Sequence, residues 1–532
     1  MASRDLPTSF KELTTGWLVH AKREITFNKS KQELIDNDIQ DEDHEAVTKV
    51  QAKNLWPAFV SGAGLFSDGY VNNSISTATY CLAILYEDAY TNSNAISNVS
   101  SIAFAGTVVG MLVFGYISDN FARKGGMMTA NVMLIFFTAL CAAGSWGLNG
   151  SPYGLFAALT TFRFFLGIAI GAEYPTSSVI ASEFANQLPS GKRNRYFIWF
   201  TNAMIDVGYV VSSFVPMVLL WICTPKHLTP IWRITLALGA ILPISLFFMR
   251  LKIKDSEAFQ KMNMKKAKVP YWTIIKFYWF RLIIVSLIWF LYDFSAYSFG
   301  VYSSFIIGKV VGDGDMYKTF GWTVVFNLFY IPGAFLGALG ADYLGPRVTA
   351  GVGVILQAAV GYIMAGCFPH LKHSIGGFVV VYGIFTSLGE FGPGDNIGLL
   401  AAKTSATTIR GQYYGIAAAV GKIGAFVGTW VFPVIQKNAL KARGSDFEMQ
   451  APFYVSSSLC VFSGILIFFF LPAVGQDAVN REDQEFFDYL EATGYDTRQL
   501  GYIVDPENDS ASTDEVKKTE VDVKVEAESK TS

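Results

Sequence analysis

Trp289, Asp293 and Tyr297 stand four residues apart inside the apolar run from Leu282 to Ile307. At helical pitch an indole, a carboxylate and a phenol then share one stripe, each about 6 Å above the last. A carboxylate at membrane depth is costly, and such groups face a cavity, pair with another group, and mark the path of a substrate or a proton. Other apolar stretches carry Asp68, Arg163, Glu173, Asp206, Glu390, Asp395 and Lys422. The acids outnumber the interior cations Arg163 and Lys422. A buried cation that binds an anion needs a carboxylate partner when the anion is absent, and Lys422 with Asp293 fits that need. An acid that takes a proton on one side and releases it on the other is what proton coupling requires, with Asp293, Glu173 and Asp68 as candidates.

Each residue also has a structural reading. Arg163 precedes Gly167 and Gly171 at four-residue steps, a context of close helix packing, so it either holds helices together or touches a ligand. Glu173 precedes Pro175 and could satisfy backbone groups freed by a kink. Asp206 could face a small water pocket. Glu390 and Asp395 flank a Gly-Pro-Gly break, where irregular backbone is tolerated if it lines a cavity. Lys422 could extend its head toward an interface, and Trp289 and Tyr297 could be interfacial aromatics.

Positioning these groups falls to membrane-spanning helices. The chain is 52% hydrophobic, 15% aromatic and only 16% charged, whereas soluble domains carry about 25% charged residues. Apolar runs near 55–83, 98–117, 127–148, 153–184, 196–222 and 231–251 form one set of six. After a basic stretch come runs near 277–307, 319–341, 348–368, 374–402, 411–436 and 452–473. The expected fold is all-α, with 12 transmembrane helices in two pseudo-symmetric six-helix bundles. The expected parts are a cytoplasmic segment 1–54, a bundle 55–251, a basic loop 252–276, a bundle 277–474 and an acidic tail 475–532. Met1 to Lys53 lacks the apolar core of a cleavable signal, so the first spanning helix must direct targeting. The five cysteines have no metal-ligand spacing, and no metal or cofactor is expected.

Arg123, Lys124, Lys192, Arg193, Arg195 and the cluster from Lys252 to Lys268 fall in loops on one side, while loops 84–97 and 147–152 carry no Lys or Arg. The positive-inside rule then places both termini in the cytoplasm. The bias weakens in the second half, where Lys309, Lys318, Lys372, Lys441 and Arg443 fall outside. Asn98 and Asn149 begin sequons on the outer side and are expected glycosylation sites.

The halves repeat each other. Gly115 to Lys124, with Asp119 and Arg123, is matched by Ala338 to Arg347, with Asp342 and Arg347, and Asp68 is matched by Asp293 at nearly the same step. Such a duplication implies a mid-membrane site between the halves and alternating access by rocking. In each turn the Asp and the following Arg suit an ion pair that gates the cytoplasmic helix ends.

These features resemble the major facilitator superfamily. Arg163 to Ser178, including Gly167, Gly171, Glu173, Tyr174 and Pro175, is similar to the fourth-helix signature of phosphate:proton symporters, although the acid there is usually Asp. Trp289, Asp293, Tyr297 and Lys422 match that family's phosphate-site residues. Where those carriers have Asn after the tenth-helix Phe-Gly-Pro, this chain has Gly394, then Asp395 and Asn396, so a binding residue is lost and space is gained. Ser67 to Asn72, Gly171 to Ser177, Tyr292 to Phe294, and Gly392 to Asp395 with Ser405 to Thr407 resemble the fungal glycerophosphodiester permeases over roughly residues 50–500.

That resemblance implies proton-coupled uptake of a glycerophosphodiester through the plasma membrane. Tyr174, Trp289, Asp293, Tyr297, Asp395, Asn396, Lys422 and Arg163 are the implied binding residues. Implied partners are a small anionic or zwitterionic organophosphate, protons and the bilayer, with a monomer expected and no nucleic acid. A choline headgroup would suit the aromatic faces and carboxylate of the Trp289–Tyr297 stripe. Inositol would suit Asn72, Asn73, Thr201, Asn202 and Asn396. The tyrosines of the seventh helix tilt the expectation slightly toward choline. An inorganic phosphate carrier and a nutrient-sensing receptor are the alternatives. An enzyme is not expected, since no nucleophile, base and oxyanion set stands out.

Overall fold

The computed structural model describes residues 56–91, 93–120, 123–147, 151–185, 192–251, 269–474 and 478–497, with isolated positions between 18 and 25. The first half contains α1 (Trp56–Thr91), α2 (Ala95–Asn120), α3 (Arg123–Ala139) ending in a π turn at Leu140–Gly144, and α4 (Pro152–Ala185). Its fifth pass joins α5 (Arg193–Phe200) to α6 (Asn202–Cys223), and its sixth joins α7 (Leu228–Leu238) to α8 (Ile241–Arg250). In the second half α9 (Tyr271–Val301) leads through α10 (Ser303–Val311) to α11 (Met316–Leu328) and α12 (Tyr330–Tyr343). Then come α13 (Pro346–Leu371), α14 (Ile375–Gly389), a π turn at Glu390–Gly394, α15 (Asp395–Lys403), α16 (Arg410–Arg443) and α17 (Ser445–Phe470), with α18 (Ala478–Ala492) last.

Among the described residues, 11 helical passes are long and apolar enough to cross a membrane. α1, at 36 residues, is long enough but carries Asp68, Asn72 and Asn73, all buried, through its middle. The outer surface is apolar: Trp221 is 72% exposed, and Phe136, Phe248 and Ile363 are exposed as well. Such a belt suits lipid and would be a liability in water.

Without a hydrophobic drive between helices in lipid, small residues decide which helices approach closely. Gly106 and Gly110 of α2 lie against the carbonyls of Phe164 and Ile168, while Gly167 and Gly171 of α4 lie against those of Ala103 and Thr107. A Cβ at any of the four would strike backbone. On α16, Gly424 and Gly428 meet the carbonyls of Phe290 and Phe294 of α9, and Gly421 meets the Trp289 indole. This contact carries Lys422 to the level of Asp293. The halves touch along α2 and α16, and along α6 and α11.

Several helix ends differ from the sequence expectation. α1 continues past residue 83 to Thr91 across a kink at Glu87, whose φ is 40°. α9 begins at Tyr271 and α17 at Ser445, each earlier than their apolar runs, because a helix end that leaves the bilayer has no need of apolar residues. The linker cluster from Lys252 to Lys268, Asn149, and the side chains of Asp119 and Arg123 lie outside what is described. Asn98 is exposed on the first turn of α2.

Three of the lysines that weaken the charge bias have acid partners. Lys309 pairs with Glu448 at 2.5 Å, Lys318 with Asp313 at 2.7 Å, and Lys372 with Asp446 at 2.7 Å. The acidic tail starts as a docked helix: Glu482 of α18 pairs with Arg281 at 2.9 Å, and the Asp483 carboxylate accepts from the Thr407 amide and hydroxyl at 2.6 and 2.7 Å.

Candidate functional site

Between the halves lies a cavity with roughly 840 Å³ of empty space. Trp289, Asp293 and Tyr297 all line it, along with Tyr174 of α4, Tyr414 and Lys422 of α16, and Asp395 of α15. Lys422 Nζ donates to Asp293 Oδ2 at 3.0 Å and to the Tyr297 hydroxyl at 2.5 Å. It sits 3.9 Å from the Tyr297 ring centroid and 5.0 Å from that of Tyr174. The two tyrosine hydroxyls are 3.3 Å apart. Lys422 and Asp293 are each 2% exposed at the side chain. This is a cation held ready by an exchangeable carboxylate and ringed by phenols, an arrangement suited to an anion.

Across the cavity Glu390 accepts from Asn202 Nδ2 and from the Tyr292 hydroxyl, each at 2.8 Å. The same Asn202 amide reaches Asp395 Oδ1 at 2.8 Å. The space expected beside Gly394 is filled, because a Cβ there would strike the Glu390 carboxylate and the Tyr292 hydroxyl.

Two residues expected at the ligand are elsewhere. Arg163 Nε donates to the Val99 carbonyl at 2.9 Å and is not part of the lining; it ties α4 to α2. Asn396 Nδ2 donates to the carbonyls of Phe391 and Gly392, satisfying backbone that the π turn frees. Of the proposed coupling acids, Glu173 forms a fully buried pair with Arg250 of α8, at 2.5 and 2.8 Å, and also accepts from Ser177 Oγ at 2.8 Å. Asp68 is fully buried, and neither of its oxygens has a hydrogen-bond partner.

Polar contacts cross between the halves above and below the cavity. At one end Arg195 of α5 pairs with Asp342 of α12 at 2.5 Å, and Asn194 Nδ2 donates to the Ala341 carbonyl at 2.8 Å. Asp342 was expected to work with Arg347, whose Nη1 donates to the Leu471 carbonyl at 3.1 Å. At the other end Asn73 Nδ2 donates to Asn327 Oδ1 at 3.1 Å, and Ser76 Oγ lies within 3.1 Å of the hydroxyls of Ser303 and Ser304. Both ends are therefore bridged. Asp342→Asn removes a charge-assisted bond worth about 1.5–3 kcal/mol. In a cysteine-free background carrying Thr201→Cys, that change is expected to speed maleimide labelling at least about threefold from the Arg195 end only, since 1.4 kcal/mol is a factor of ten.

Sequence reading missed Arg250, Tyr209 and Tyr330, and took Arg195 only as loop charge and Asn202 only as a partner for inositol. A basic loop position, a helix-end Arg and isolated polar side chains carry no local signal of their partners. Tyr209 and Tyr330 follow Asp206 and Asn327 by one helical turn, the nearest thing to a cue.

The sugar (and other) transporter family matches residues 55–479. The chain is 64% identical over 507 residues to the major glycerophosphoinositol permease GIT3 of Candida albicans, covering 94% of each chain. It is 62% identical over 524 residues to the glycerophosphodiester transporter GIT2 of the same organism, covering 98% of this chain and 97% of that one. It is 63% identical over 504 residues to the glycerophosphocholine permease GIT4, also from Candida albicans, covering 94% of each. Among solved structures, the proton:xylose symporter XylE bound to 6-bromo-6-deoxy-D-glucose matches with a TM-score of 0.66 at 16% identity, over 82% of this chain and 98% of that one. That likeness speaks to the fold.

Proposed function

The chain belongs to the sugar (and other) transporter family, and we propose on that premise that it takes up glycerophosphodiesters across the plasma membrane, coupled to protons, by alternating access. It is a multi-pass membrane transporter and not an enzyme. The observation that carries the substrate class is the buried Lys422–Asp293 pair lining the cavity between the halves. A phosphodiester brings one negative charge, which displaces the carboxylate as the lysine's partner. Three relatives above 60% identity named for glycerophosphodiester cargoes support the same class.

For an anionic diester, coupling to protons follows from the charge of the cargo, whereas a zwitterionic diester carries no net charge and needs protons only to be concentrated. Importing one net negative charge against a negative-inside potential costs about 2.3 kcal/mol per 100 mV, and two or more protons reverse that cost. Asp293, released when the anion takes Lys422, and Asp68, which lacks any hydrogen-bond partner, are the acids we assign to carry them. Both termini are assigned to the cytoplasm on the bias of basic loops, and the carrier works as a monomer.

The test is uptake of labelled glycerophosphocholine, glycerophosphoinositol and phosphate into proteoliposomes, with and without an inward proton gradient. Accumulation of the diesters above equilibrium is expected only with the gradient, and Asp293→Asn is expected to lose it. Gradient-driven accumulation that persists in Asp293→Asn would remove that residue from the coupling path.

A further inference from the structure

The cavity has a second pole, built of carboxyl groups rather than a cation. The carboxylates of Asp206, Glu390 and Asp395 lie within 4.8 Å of one another, and all three residues are buried and line the cavity. Asp206 comes from the first half and the other two from the second. Among the described residues none of the three has an ion-pair partner; Lys422 is engaged by Asp293. Asp206 Oδ2 and Asp395 Oδ2 have no hydrogen-bond partner among the described residues. A third acceptor in the lining, Asn72 Oδ1 of α1, is likewise buried and unpartnered. Left without donors or a cation, so many acceptors are costly to bury.

Aromatic rings close the same region. Tyr209 lies one turn beyond Asp206 on α6, and its ring meets that of Tyr330 edge to face at 5.1 Å. Both tyrosines line the cavity together with Glu390 and Asp206. Tyr292 adds a third ring and donates its hydroxyl to Glu390. Carboxylates among tyrosine faces are the surroundings that an organic cation seeks.

We propose that Asp206, Glu390 and Asp395, with Tyr209 and Tyr330, form a subsite for the quaternary ammonium headgroup of a zwitterionic phosphodiester, whose phosphate sits at Lys422. The assignment rests on the diester reading above and deepens it. It also moves the headgroup away from the Trp289–Tyr297 stripe: Lys422 lies against Asp293 and Tyr297, so that stripe serves the anionic end. A small metal cation is the less suitable occupant, because it asks for six or more oxygen ligands in the case of calcium and retained waters in the case of magnesium, whereas rings form much of this wall.

Two measurements test the subsite. In proteoliposomes, the ratio of half-saturation concentrations for glycerophosphocholine and glycerophosphoinositol is determined for the parent protein, Asp206→Asn, Asp395→Asn and Tyr330→Leu. Each variant is expected to shift that ratio at least tenfold against the choline ester, and a ratio that stays within twofold overturns the proposal. Should the variants fail to fold, the parent protein decides alone. The neutral isostere of glycerophosphocholine, with carbon in place of the ammonium nitrogen, is expected to compete at least tenfold more weakly than glycerophosphocholine itself. Equal competition overturns the subsite, as does uptake that depends on an added metal cation and loses that dependence in Asp206→Asn. Absence of any diester uptake by the parent protein would instead sink the functional reading while glycerophosphocholine binding to the purified protein still reported on the subsite.

Discussion

Lys422→Met is expected to cut uptake of every phosphodiester cargo at least about a hundredfold, the largest functional loss available from one side chain. Two effects combine. The anion loses its charge-assisted donor, worth about 1.5–3 kcal/mol, and Asp293 is left buried without the cation 3.0 Å away, a change that costs about 3–5 kcal/mol in stability. They can be separated by adding Asp293→Asn to Lys422→Met. The double variant is expected to regain much of the thermal stability of the purified protein while uptake stays lost. A double variant that transports would show that Lys422 serves packing only.

Glu173→Gln is expected to be the most destabilising isosteric change. Arg250 has no exposed surface at its side chain, and neither does Glu173. Neutralising the acid leaves the buried guanidinium without a counter-charge, with one neutral amide oxygen in place of the two carboxylate acceptors and the long contact to the Met127 carbonyl at 3.4 Å among its described partners, and about 3–5 kcal/mol is at stake. α4 and α8 meet at this pair, so the melting temperature of detergent-purified protein should fall markedly. Glu173→Gln/Arg250→Met, which removes both charges, should recover most of the loss. A single variant with parental stability but no gradient dependence would return Glu173 to the coupling role expected of it from the sequence.

These two predictions mark how far the sequence reads. Asp293 was legible because four-residue spacing on one long helix is a local property, and Lys422 because a lysine deep in an apolar run has few other uses. Arg163 misled, since the same local pattern of a cation near spaced glycines serves a helix contact as well as a ligand. Asn396 misled for a related reason. Its neighbours Pro393 and Gly394 break the helix, and the amide is spent on the carbonyls that the break exposes. The bridge between the halves was half legible: Asp342 could be picked out from the repeat, but its partner Arg195 lies 147 residues away in the other half.

By itself the sequence determined the membrane class, the doubled bundle and the stripe of Trp289, Asp293 and Tyr297 that lines the cavity, because hydropathy, repetition and helical pitch are all written in neighbouring residues. Tertiary structure alone decided which charges meet. The Glu173–Arg250 pair, the Arg195–Asp342 bridge and the convergence of Asp206 with Glu390 and Asp395 each join separate helices. Their rotation and depth are set by backbone contacts at glycines, as between α9 and α16. A carboxylate's spacing along its own helix says that it faces inward, and only the packing of the opposite helix says whether a cation, another acid or an empty volume receives it.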